Sequence, residues 1–502
     1  MAPREAIHGR GSVRIPETVF ATSTRWRRRH AVYAERAVSA AHTLGELRRA
    51  EYRVQPIKSE LRRNLIRKLR SGERLFPGIV GYDDSVIPQV ENAILAGQDI
   101  VLLGERGQAK SRLVRSLTSL LDEAVPAIAG CEINDDPYAP ICRRCRDLVA
   151  ELGEETPITW LGAEDRYGEK LATPDTSIAD LIGEVDPIRV AEGRYLSDEL
   201  VIHYGLVPRT NRGIFAINEL PDLAERIQVG LLNIIEERDV QIRGFRIRLP
   251  LDVLVVATAN PEDYTNRGRI ITPLKDRFGA QVRTHYPRTV EDEIAIAEQE
   301  RVVFDDTPVP VHVPQHMKEI AVEITHLARR HPQINQRSGV SVRVTTANYE
   351  SLASSALRRA LITGEKEAVA RVSDLAAVTA STSGKVELDT LDDSDNDQVL
   401  DKIVRNACSN VFRRHFSATE LADLVQRFDQ GGFTVEVGPL MTAESYGQAI
   451  GELPGLAPAR QKLGEPDTPQ SMAAVLEFVL EGLHLGKRLN KTALDSTSVY
   501  GG

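Results

Sequence analysis

Hydrophobic residues recur along this chain in two patterns, one typical of buried strands and the other of helices. Three short segments, 99–103, 213–217 and 253–259, are almost continuously apolar and rich in β-branched residues. Such runs are typical of strands covered on both faces of a parallel sheet. Apolar residues at helical spacing precede the first strand, at 57–69 and 86–96. Strands separated by helical connections predict an α/β domain whose ligands bind at the carboxyl ends of the strands.

The second half of the chain has a helical pattern. Helices are expected at 290–299, 316–330, 345–361 and 365–377, which predicts a small all-helical second domain. The acidic stretch 387–401 is typical of a linker. Further helices are expected beyond it at 399–415, 418–428 and 471–485. At the other end, residues 1–53 show no sustained period and are interpreted as an extension of uncertain order.

Composition agrees with a soluble globular protein of two or three domains, since 42% of the 502 residues are hydrophobic and 27% are charged. No run approaches the roughly 18 apolar residues that a membrane span needs, so no membrane association is expected. Four cysteines in so long a chain favour a reducing, cytoplasmic setting over a disulfide scaffold.

The formal net charge of −9 conceals a strongly basic beginning. Its positive residues include Arg25, Arg27, Arg28, Arg29, Arg48, Arg49, Arg62, Arg63, Arg67, Lys68 and Arg70. A solvated surface and contact with nucleic acid or an acidic partner are both compatible with this charge. A targeting signal fits least well because no apolar region follows the arginines. Nucleic acid is not the expected partner.

One loop carries the most informative chemistry. It follows the first predicted strand and leads into a helical segment at 112–121. Its residues are Gly104, Glu105, Arg106, Gly107, Gln108, Ala109, Lys110 and Ser111. Strand, glycine-bearing loop, Lys-Ser and helix form the arrangement that binds a nucleoside triphosphate, with backbone N–H groups and a helix N-terminus facing the phosphates. The alternative is an ordinary glycine turn before a helix.

Lys110 is expected to reach the β- and γ-phosphates of ATP, and Ser111 to offer its hydroxyl to Mg²⁺. The residue before the lysine is usually glycine, but Ala109 tolerates a helical first turn, so the loop is expected to close.

A second group of functional residues is expected where the 213–217 strand ends. Glu219 there is well placed to orient or deprotonate a water molecule. Asn218 occupies the position where an aspartate is expected, so it would offer Mg²⁺ an oxygen ligand without a charge. Weaker Mg²⁺ binding and slow hydrolysis follow from that difference. The alternative is that both residues simply end a buried strand.

Three further residues are candidates for contact with the triphosphate. Asn260 follows the 253–259 strand, where its amide can bind the γ-phosphate or the water held by Glu219. Arg277 is suited to reach a phosphoryl group from a neighbouring subunit, although a surface ion pair is the simpler interpretation. Arg343 opens a lid helix and can touch the γ-phosphate from that side.

Three cysteines form a candidate zinc site. Cys142 and Cys145 have the Cys-x-x-Cys spacing of metal ligands, and Cys131 lies upstream. A fourth ligand is missing nearby, since Cys408 is distant and Asp135 or Asp136 would be an unusual ligand. Unligated thiols are therefore the expected state, and zinc is the alternative.

These motifs together resemble an AAA+ ATPase of the magnesium chelatase and MoxR branch, and above all the ATPase subunit of magnesium chelatase. The resemblance runs from about Val80 to Arg343. Segments that carry it besides the phosphate loop are 134–137 (Asn-Asp-Asp-Pro), 176–183, 204–213 and 276–279 (Asp-Arg-Phe-Gly). It implies an α/β parallel-sheet P-loop AAA+ core with a small all-helical lid domain. The residues after 386 lie outside the resemblance, and their helical spacing predicts a mostly helical C-terminal extension.

The resemblance also implies roles for individual residues. Lys110 and Ser111 would be Walker A, Glu219 Walker B, Asn260 sensor 1, Arg277 the arginine finger and Arg343 sensor 2. Proteins of this branch usually form hexameric rings and often work with a partner that bears a von Willebrand A domain. Four parts of the chain are then expected: a basic N-terminal extension (1–53), an AAA+ nucleotide-binding domain (54–288), a helical lid (289–385), and an acidic linker with a C-terminal helical region (386–502).

The predicted function is an ATP-hydrolysing motor that remodels a protein partner or assists metal insertion. An ATP-gated scaffold with little hydrolysis is the first alternative, because Asn218 replaces the Walker B aspartate. A nucleic-acid-associated motor that uses the basic N-terminus is the second.

Overall fold

The computed structural model describes residues 41–502 with short gaps. The gaps are residues 187, 189–190, 192–198, 238, 242–247, 261–267, 305, 336–338, 388–392, 418, 431 and 495–496. Most of the predicted N-terminal extension therefore lies outside the described residues. Its last part contains a short helix, Leu44–Arg49, closed by a capping box in which Thr43 and Glu46 each accept the other's backbone N–H.

The secondary structure elements are numbered in chain order. The strands are β1 (Ile100–Leu103), β2 (Ala124–Ile128), β3 (Ile158–Gly162), β4 (Tyr167–Leu171), β5 (Gly183–Val185), β6 (Ile202–Tyr204), β7 (Gly213–Asn218), β8 (Asp239–Gln241), β9 (Arg248–Pro250), β10 (Val253–Ala259), β11 (Ala280–Arg283), β12 (Val311–His312), β13 (Ala368–Val369), β14 (Thr434–Val437), β15 (Asn490–Leu494) and β16 (Thr497–Gly501).

The α-helices are α1 (Leu44–Arg49), α2 (Ile57–Ser71), α3 (Val86–Leu95), α4 (Lys110–Ser116), α5 (Arg143–Leu152), α6 (Ile178–Leu181), α7 (Leu206–Arg209), α8 (Glu225–Glu236), α9 (Thr272–Arg277), α10 (Val290–Glu300), α11 (Gln315–Ala328), α12 (Arg343–Thr363), α13 (Val378–Ser383), α14 (Asp393–His415), α15 (Ala422–Asp429), α16 (Gly447–Glu452), α17 (Leu456–Lys462) and α18 (Pro469–Leu485). Short 3₁₀ helices lie at Leu117–Leu120, Gly153–Glu155, Glu164–Arg166, Glu199–Val201, Leu220–Asp222, Val372–Ala377 and Ala443–Tyr446.

A five-stranded parallel sheet in the order β11-β1-β10-β7-β4 forms the centre of the first domain. Every residue of β1, β7 and β10 is buried, because helices cover both faces. Alternate residues point to opposite faces. Ile100 and Ile214 pack in one hydrophobic cluster with α2, α3 and α4, and Val101 and Phe215 pack in another with α8. The predicted α/β parallel-sheet core is confirmed.

The register of the sheet brings the carboxyl ends of its strands together. Leu103 pairs with Ala259, and Ala257 pairs with Ile217, so β1, β10 and β7 end at one edge. Residues that follow these strands must therefore lie close to the loop after β1. That edge positions the candidate site.

The lid is built on α10, α11 and α12, which meet around one fully buried carboxylate. Glu293 of α10 accepts hydrogen bonds from Arg329 at 2.8 and 3.0 Å and from His326 at 3.0 Å, and also from the Thr345 hydroxyl of α12. Burial raises the pKa of Glu293, but the His326 and Arg329 donors outweigh burial and hold that pKa below its usual range. This network fixes the helix that carries Arg343.

The prediction of an all-helical lid is wrong in one place. Residues 365–377 were expected to form a helix, yet they contain β13 and the 3₁₀ helix Val372–Ala377. Strand β13 pairs in parallel with β12, and both its residues are buried. Tertiary pairing of a short buried segment thus outweighs its local helical spacing.

The C-terminal region shares a hydrophobic core with the lid. Val344 of α12, Leu476 of α18 and Tyr500 of β16 belong to the same buried cluster. Besides its helices, the region contains a three-stranded antiparallel sheet in the order β14-β16-β15. Helix α14 begins at Asp393, within the stretch 387–401 that was interpreted as a linker. Acidic residues stabilise a helix N-terminus, so the same composition also suits the first turn of a helix.

Among the described residues, no helix combines the length and apolar character needed to cross a membrane.

Candidate functional site

The loop after β1 is shaped by close contacts at its glycines. A Cβ atom on Gly107 would lie 1.9 Å from the Ser341 hydroxyl oxygen of the lid, and Gly107 has a left-handed φ of 76°. A Cβ on Gly104 would lie 1.9 Å from Oγ1 of Thr284. Neither position has room for a side chain, so both glycines are required for the loop to lie against the lid and the sheet.

Ala109 adopts a conformation that the sequence did not predict. It was expected to tolerate a helical first turn, but its φ of 53° and ψ of 17° are left-handed. This region costs an L-residue about 1 kcal/mol or more, because Cβ approaches the following carbonyl oxygen. The loop closes, as expected, but with strain at the position where glycine is usual.

Lys110 begins α4 and lies inside the loop. Its side chain is 7% exposed, and its ammonium group donates hydrogen bonds to the carbonyl oxygens of Gly104 and of Glu105, the latter at 2.8 Å. The loop is closed by Gln108, whose side-chain oxygen accepts from Glu105 N at 3.1 Å and from Thr284 Oγ1 at 2.7 Å. The buried Lys110 ammonium is thus held by two backbone carbonyl groups of the loop that precedes it.

Ser111 and Asn218 are brought together by the sheet. The Ser111 hydroxyl lies 3.4 Å from Oδ1 of Asn218, and the Thr258 hydroxyl of β10 lies 3.3 Å from the same oxygen. The two residues predicted to hold Mg²⁺ are therefore neighbours. Their oxygens are the hard ligands that Mg²⁺ prefers, and the pair adds no negative charge.

A carboxylate that the sequence analysis missed lies behind Asn218. Glu169 of β4 accepts a hydrogen bond from Nδ2 of Asn218, and it forms a two-point ion pair with Arg115 at 2.8 and 2.9 Å. The Arg115 guanidinium is the main reason that the pKa of Glu169 lies below its usual range. Because β4 was not recognised as a strand, no sequence signal placed this charge at the site.

Glu219 and Asn260 follow β7 and β10 at the same edge. Glu219 has a left-handed φ of 54°, and its backbone N–H donates to the Thr258 hydroxyl at 3.1 Å. Asn260 is 2% exposed and follows Ala259, whose carbonyl oxygen accepts from Gly104 N at 3.1 Å. The structure therefore places both predicted residues beside the loop after β1.

The two candidate arginines occupy different places. Arg343 is the first residue of α12, is exposed, and lines the same cavity as Lys110 and Glu219. Arg277 ends α9 and does not line that cavity. It forms an ion pair with Glu236 and donates to the Pro273 carbonyl oxygen at 2.9 Å. The ion pair that was the simpler interpretation is present, and any contact with a phosphate would have to be in another copy of the chain.

The cavity between the core and the lid has a volume of about 1110 Å³. Its walls are the phosphate-loop residues from Arg106 to Ser111, Glu219, and the lid residues Val342, Arg343 and Thr346. Cavities that bind ligands of nucleotide size have volumes of several hundred cubic ångströms and combine apolar walls with a few placed polar groups. The shape and chemistry of this cavity fit a nucleoside triphosphate with Mg²⁺.

The structure also brings the three candidate zinc ligands together. Cys131, Cys142 and Cys145 lie with Asp135 in one buried group, whereas Cys408 is buried in the lid and C-terminal core. Asp135, which was set aside above as an unusual ligand, is the fourth member of this group.

No protein-family model matches the chain. Several curated proteins match part of the chain in sequence. The magnesium-chelatase 38 kDa subunit of Rhodobacter capsulatus is 29% identical over 241 residues, which cover 46% of this chain and 62% of that protein. The magnesium-chelatase subunit ChlI of a Nostoc species is 28% identical over 246 residues, 46% of this chain and 60% of that protein. This chain is related in sequence to magnesium chelatase subunits.

The matched part spans less than two thirds of the length of these relatives. Among solved structures, a chain from the complex of subunits BchI and BchD of magnesium chelatase is 22% identical, with a TM-score of 0.35, over 62% of this chain and 96% of that one. The predicted resemblance to the magnesium chelatase subunits is confirmed.

Proposed function

We propose that this chain is an ATP-hydrolysing motor of the magnesium chelatase and MoxR type, which remodels a protein partner or assists metal insertion. The observation that carries this proposal is the convergence of a buried Lys110, the Ser111–Asn218 pair and Glu219 at one edge of the sheet. Relationship to magnesium chelatase subunits supports it.

Each side chain has a proposed part in the chemistry. Lys110 exchanges its contacts with loop carbonyls for the β- and γ-phosphates, and the backbone N–H groups of 104–111 surround them. Ser111 and Asn218 would hold Mg²⁺, which neutralises charge on the phosphate oxygens when bound. Glu219 orients the attacking water and takes its proton, while Asn260 fixes that water or the γ-phosphate.

The arginines extend the proposal to an assembly. Arg343 reaches the γ-phosphate from the lid, so that loss of this phosphate would change the position of α12 relative to the core. Arg277 reaches the triphosphate of a neighbouring protomer, which requires a ring such as a hexamer. A separate partner chain with a von Willebrand A domain would couple the motor to its client.

Steady-state phosphate release from the purified chain with ATP and Mg²⁺ tests the enzymatic part. Lys110→Ala is expected to abolish both nucleotide binding and turnover. Glu219→Gln is expected to preserve binding and to lower turnover by about 100-fold or more, because only the acceptor of the water's proton is lost. Lys462→Ala is the matched control, since that lysine forms an exposed ion pair with Glu420.

Two results would contradict the proposal in different ways. Absence of ATP binding with Mg²⁺ would refute the nucleotide site itself. Tight binding without turnover, at any protein concentration, would replace the motor with an ATP-gated scaffold.

A further inference from the structure

Four side chains outside the nucleotide cavity form a group with the composition of a metal site. Cys131, Asp135, Cys142 and Cys145 each direct one ligand atom into the same volume, and these atoms all lie within 4.8 Å of one another. Three of the residues are buried and Cys131 is partly buried. In a tetrahedral site with bonds of about 2.3 Å the ligand atoms lie about 3.8 Å apart, so the group would contract by up to about 1 Å around a Zn²⁺ ion.

The sulfur atoms lie where backbone N–H groups point at them. Cys131 Sγ accepts from the N–H groups of Ile133 and Asp135, both at 3.4 Å, and Cys142 Sγ accepts from Cys145 N at 3.4 Å. Cys142 is the N-cap of α5, a ten-residue helix, and Cys145 lies in its first turn. N–H donors and the positive end of a helix both stabilise a thiolate over a thiol.

Asp135 provides an independent observation that points to a bound cation. The residue is fully buried, and its Oδ2 accepts from Ile141 N at 3.2 Å and from Cys142 N at 3.0 Å. Its Oδ1 is buried and accepts no hydrogen bond from any residue that the structure describes. A buried carboxylate oxygen without a partner costs free energy that a bound cation would offset.

We propose that Cys131, Asp135, Cys142 and Cys145 bind one structural Zn²⁺ ion. Three thiolates and one carboxylate complete a closed tetrahedral site, and soft sulfur ligands select zinc over Mg²⁺ or Ca²⁺. Positive charge from the N-terminus of α5 and from Arg144, whose Nη1 lies 3.9 Å from Cys145 Sγ, offsets the negative charge of this ligand set.

The position of the site shows what the metal stabilises. The ligand loop runs from the end of β2 to the start of α5 and packs on the segment that leads into β7. Asn134 Nδ2 donates to the Arg209 carbonyl oxygen at 3.0 Å, and Asn211 Nδ2 donates to the Ile133 carbonyl oxygen at 3.0 Å. Zinc therefore closes the loop onto the start of α5, and these hydrogen bonds join the loop to the segment that leads into β7, outside the lining of the nucleotide cavity.

Metal analysis of the full-length chain tests this proposal. The protein is prepared with excess Zn²⁺ and a thiol reductant, desalted, and its metal content is measured by mass spectrometry. Wild type and Cys408→Ser are expected to retain close to one zinc per chain. Asp135→Asn, which keeps the shape of the side chain, and Cys145→Ser are expected to retain less than about a fifth of that amount. Substitution with Co²⁺ should give sulfur-to-cobalt charge-transfer bands in the wild type that both variants lose.

A thermal measurement separates metal loss from misfolding. A chelator should lower the unfolding midpoint of wild type and of Cys408→Ser, but not that of Asp135→Asn, whose circular dichroism before heating should match wild type. Zinc content near zero in reduced wild type, equal zinc content in wild type and Cys145→Ser, or a Cys142–Cys145 disulfide that forms in the presence of zinc would each overturn the proposal.

Discussion

The side-chain amide of Asn218 donates a hydrogen bond to the carboxylate of Glu169 on the adjacent strand. In the parallel pairing of β4 with β7, Leu171 lies opposite Asn218 and Glu169 lies opposite Ala216, so the carboxylate reaches Asn218 diagonally. This bond orients Oδ1 of Asn218 toward Ser111. The negative charge of Glu169 therefore lies one hydrogen bond away from Asn218, the position where an aspartate was expected.

Replacement of the Glu169 carboxylate should weaken Mg²⁺ binding at the nucleotide site. Glu169→Gln is expected to lower the apparent Mg²⁺ affinity in ATP binding or turnover by about 10-fold, the size of effect that partners of metal ligands usually have. The double variant Asn218→Asp with Glu169→Gln moves the charge onto the ligand itself and is expected to restore the affinity. Titration with Mg²⁺ at fixed ATP measures both.

The single variant Asn218→Asp is the control for charge crowding. It places two carboxylates side by side, which raises the pKa of one of them. Its apparent Mg²⁺ affinity should therefore rise less than that of the double variant. Additive effects of the two substitutions would show that the residues act independently. A Mg²⁺ requirement unchanged by Glu169→Gln would show that the carboxylate serves only Arg115.

Ala109→Gly should stabilise the protein. Glycine adopts φ near 53° without the Cβ contact, so relief of strain should exceed the entropic cost of the added flexibility. The free energy of unfolding of the core is expected to rise by up to about 1 kcal/mol, measured by urea titration. Ala150→Gly in α5 is the matched control, since Ala150 is exposed in a regular helix and its replacement should cost about 1 kcal/mol. A loss of stability at position 109 equal to that of the control would contradict this account.

The sequence predicted the three central strands of the sheet better than the elements around them. Continuous apolar runs identified β1, β7 and β10 because strands buried on both faces need no polar residues. Strand β4 was not recognised because it is the outermost strand on one side of the sheet, is only partly buried, and contains the adjacent charged residues Glu169 and Lys170. Glu169 was therefore not predicted.

Long-range contacts explain the other differences. The left-handed conformation of Ala109 follows from how the loop lies between the sheet and the lid, which no local pattern records. Asp135 completes the cysteine group only because its loop folds back onto the start of α5. Spacing along the chain indicated the three cysteines as a candidate group, whereas the position of Asp135 beside them depends on tertiary structure.

If Arg277 completes the site of a neighbouring protomer, two inactive variants should restore activity when mixed. Lys110→Ala alone cannot bind nucleotide, and Arg277→Ala alone lacks the guanidinium in trans. Mixed rings contain interfaces where an intact Lys110 faces an intact Arg277, so several-fold more phosphate release is expected than from either variant alone. In the control, each variant is crosslinked as a homo-oligomer before mixing, and no increase in phosphate release is expected. If mixtures remain as inactive as their components, Arg277 does not act between protomers.

His316 should make the lid and C-terminal core sensitive to acid. The imidazole is fully buried, stacks on Phe478 with ring centroids 4.5 Å apart, and burial lowers its pKa to about 4. The facing side chains of Glu465 and Glu319 raise that pKa, and those of His415 and His312 lower it. The effect of burial on the pKa is larger than either. In the unfolded chain the imidazole titrates near its usual value of 6.5, so between these values the unfolded state binds more protons.

Stability contributed by the neutral imidazole is therefore fully present above pH 6.5 and falls as the pH is lowered toward 4. At pH near 5 the expected loss is about 2 kcal/mol relative to neutral pH. His316→Phe keeps a ring against Phe478 and cannot be protonated, so its thermal unfolding midpoint should fall less steeply over this range. The exposed His203 provides the control, since His203→Gln should keep the wild-type slope. An identical slope in His316→Phe and wild type would place the acid sensitivity elsewhere, because no other change separates the two proteins.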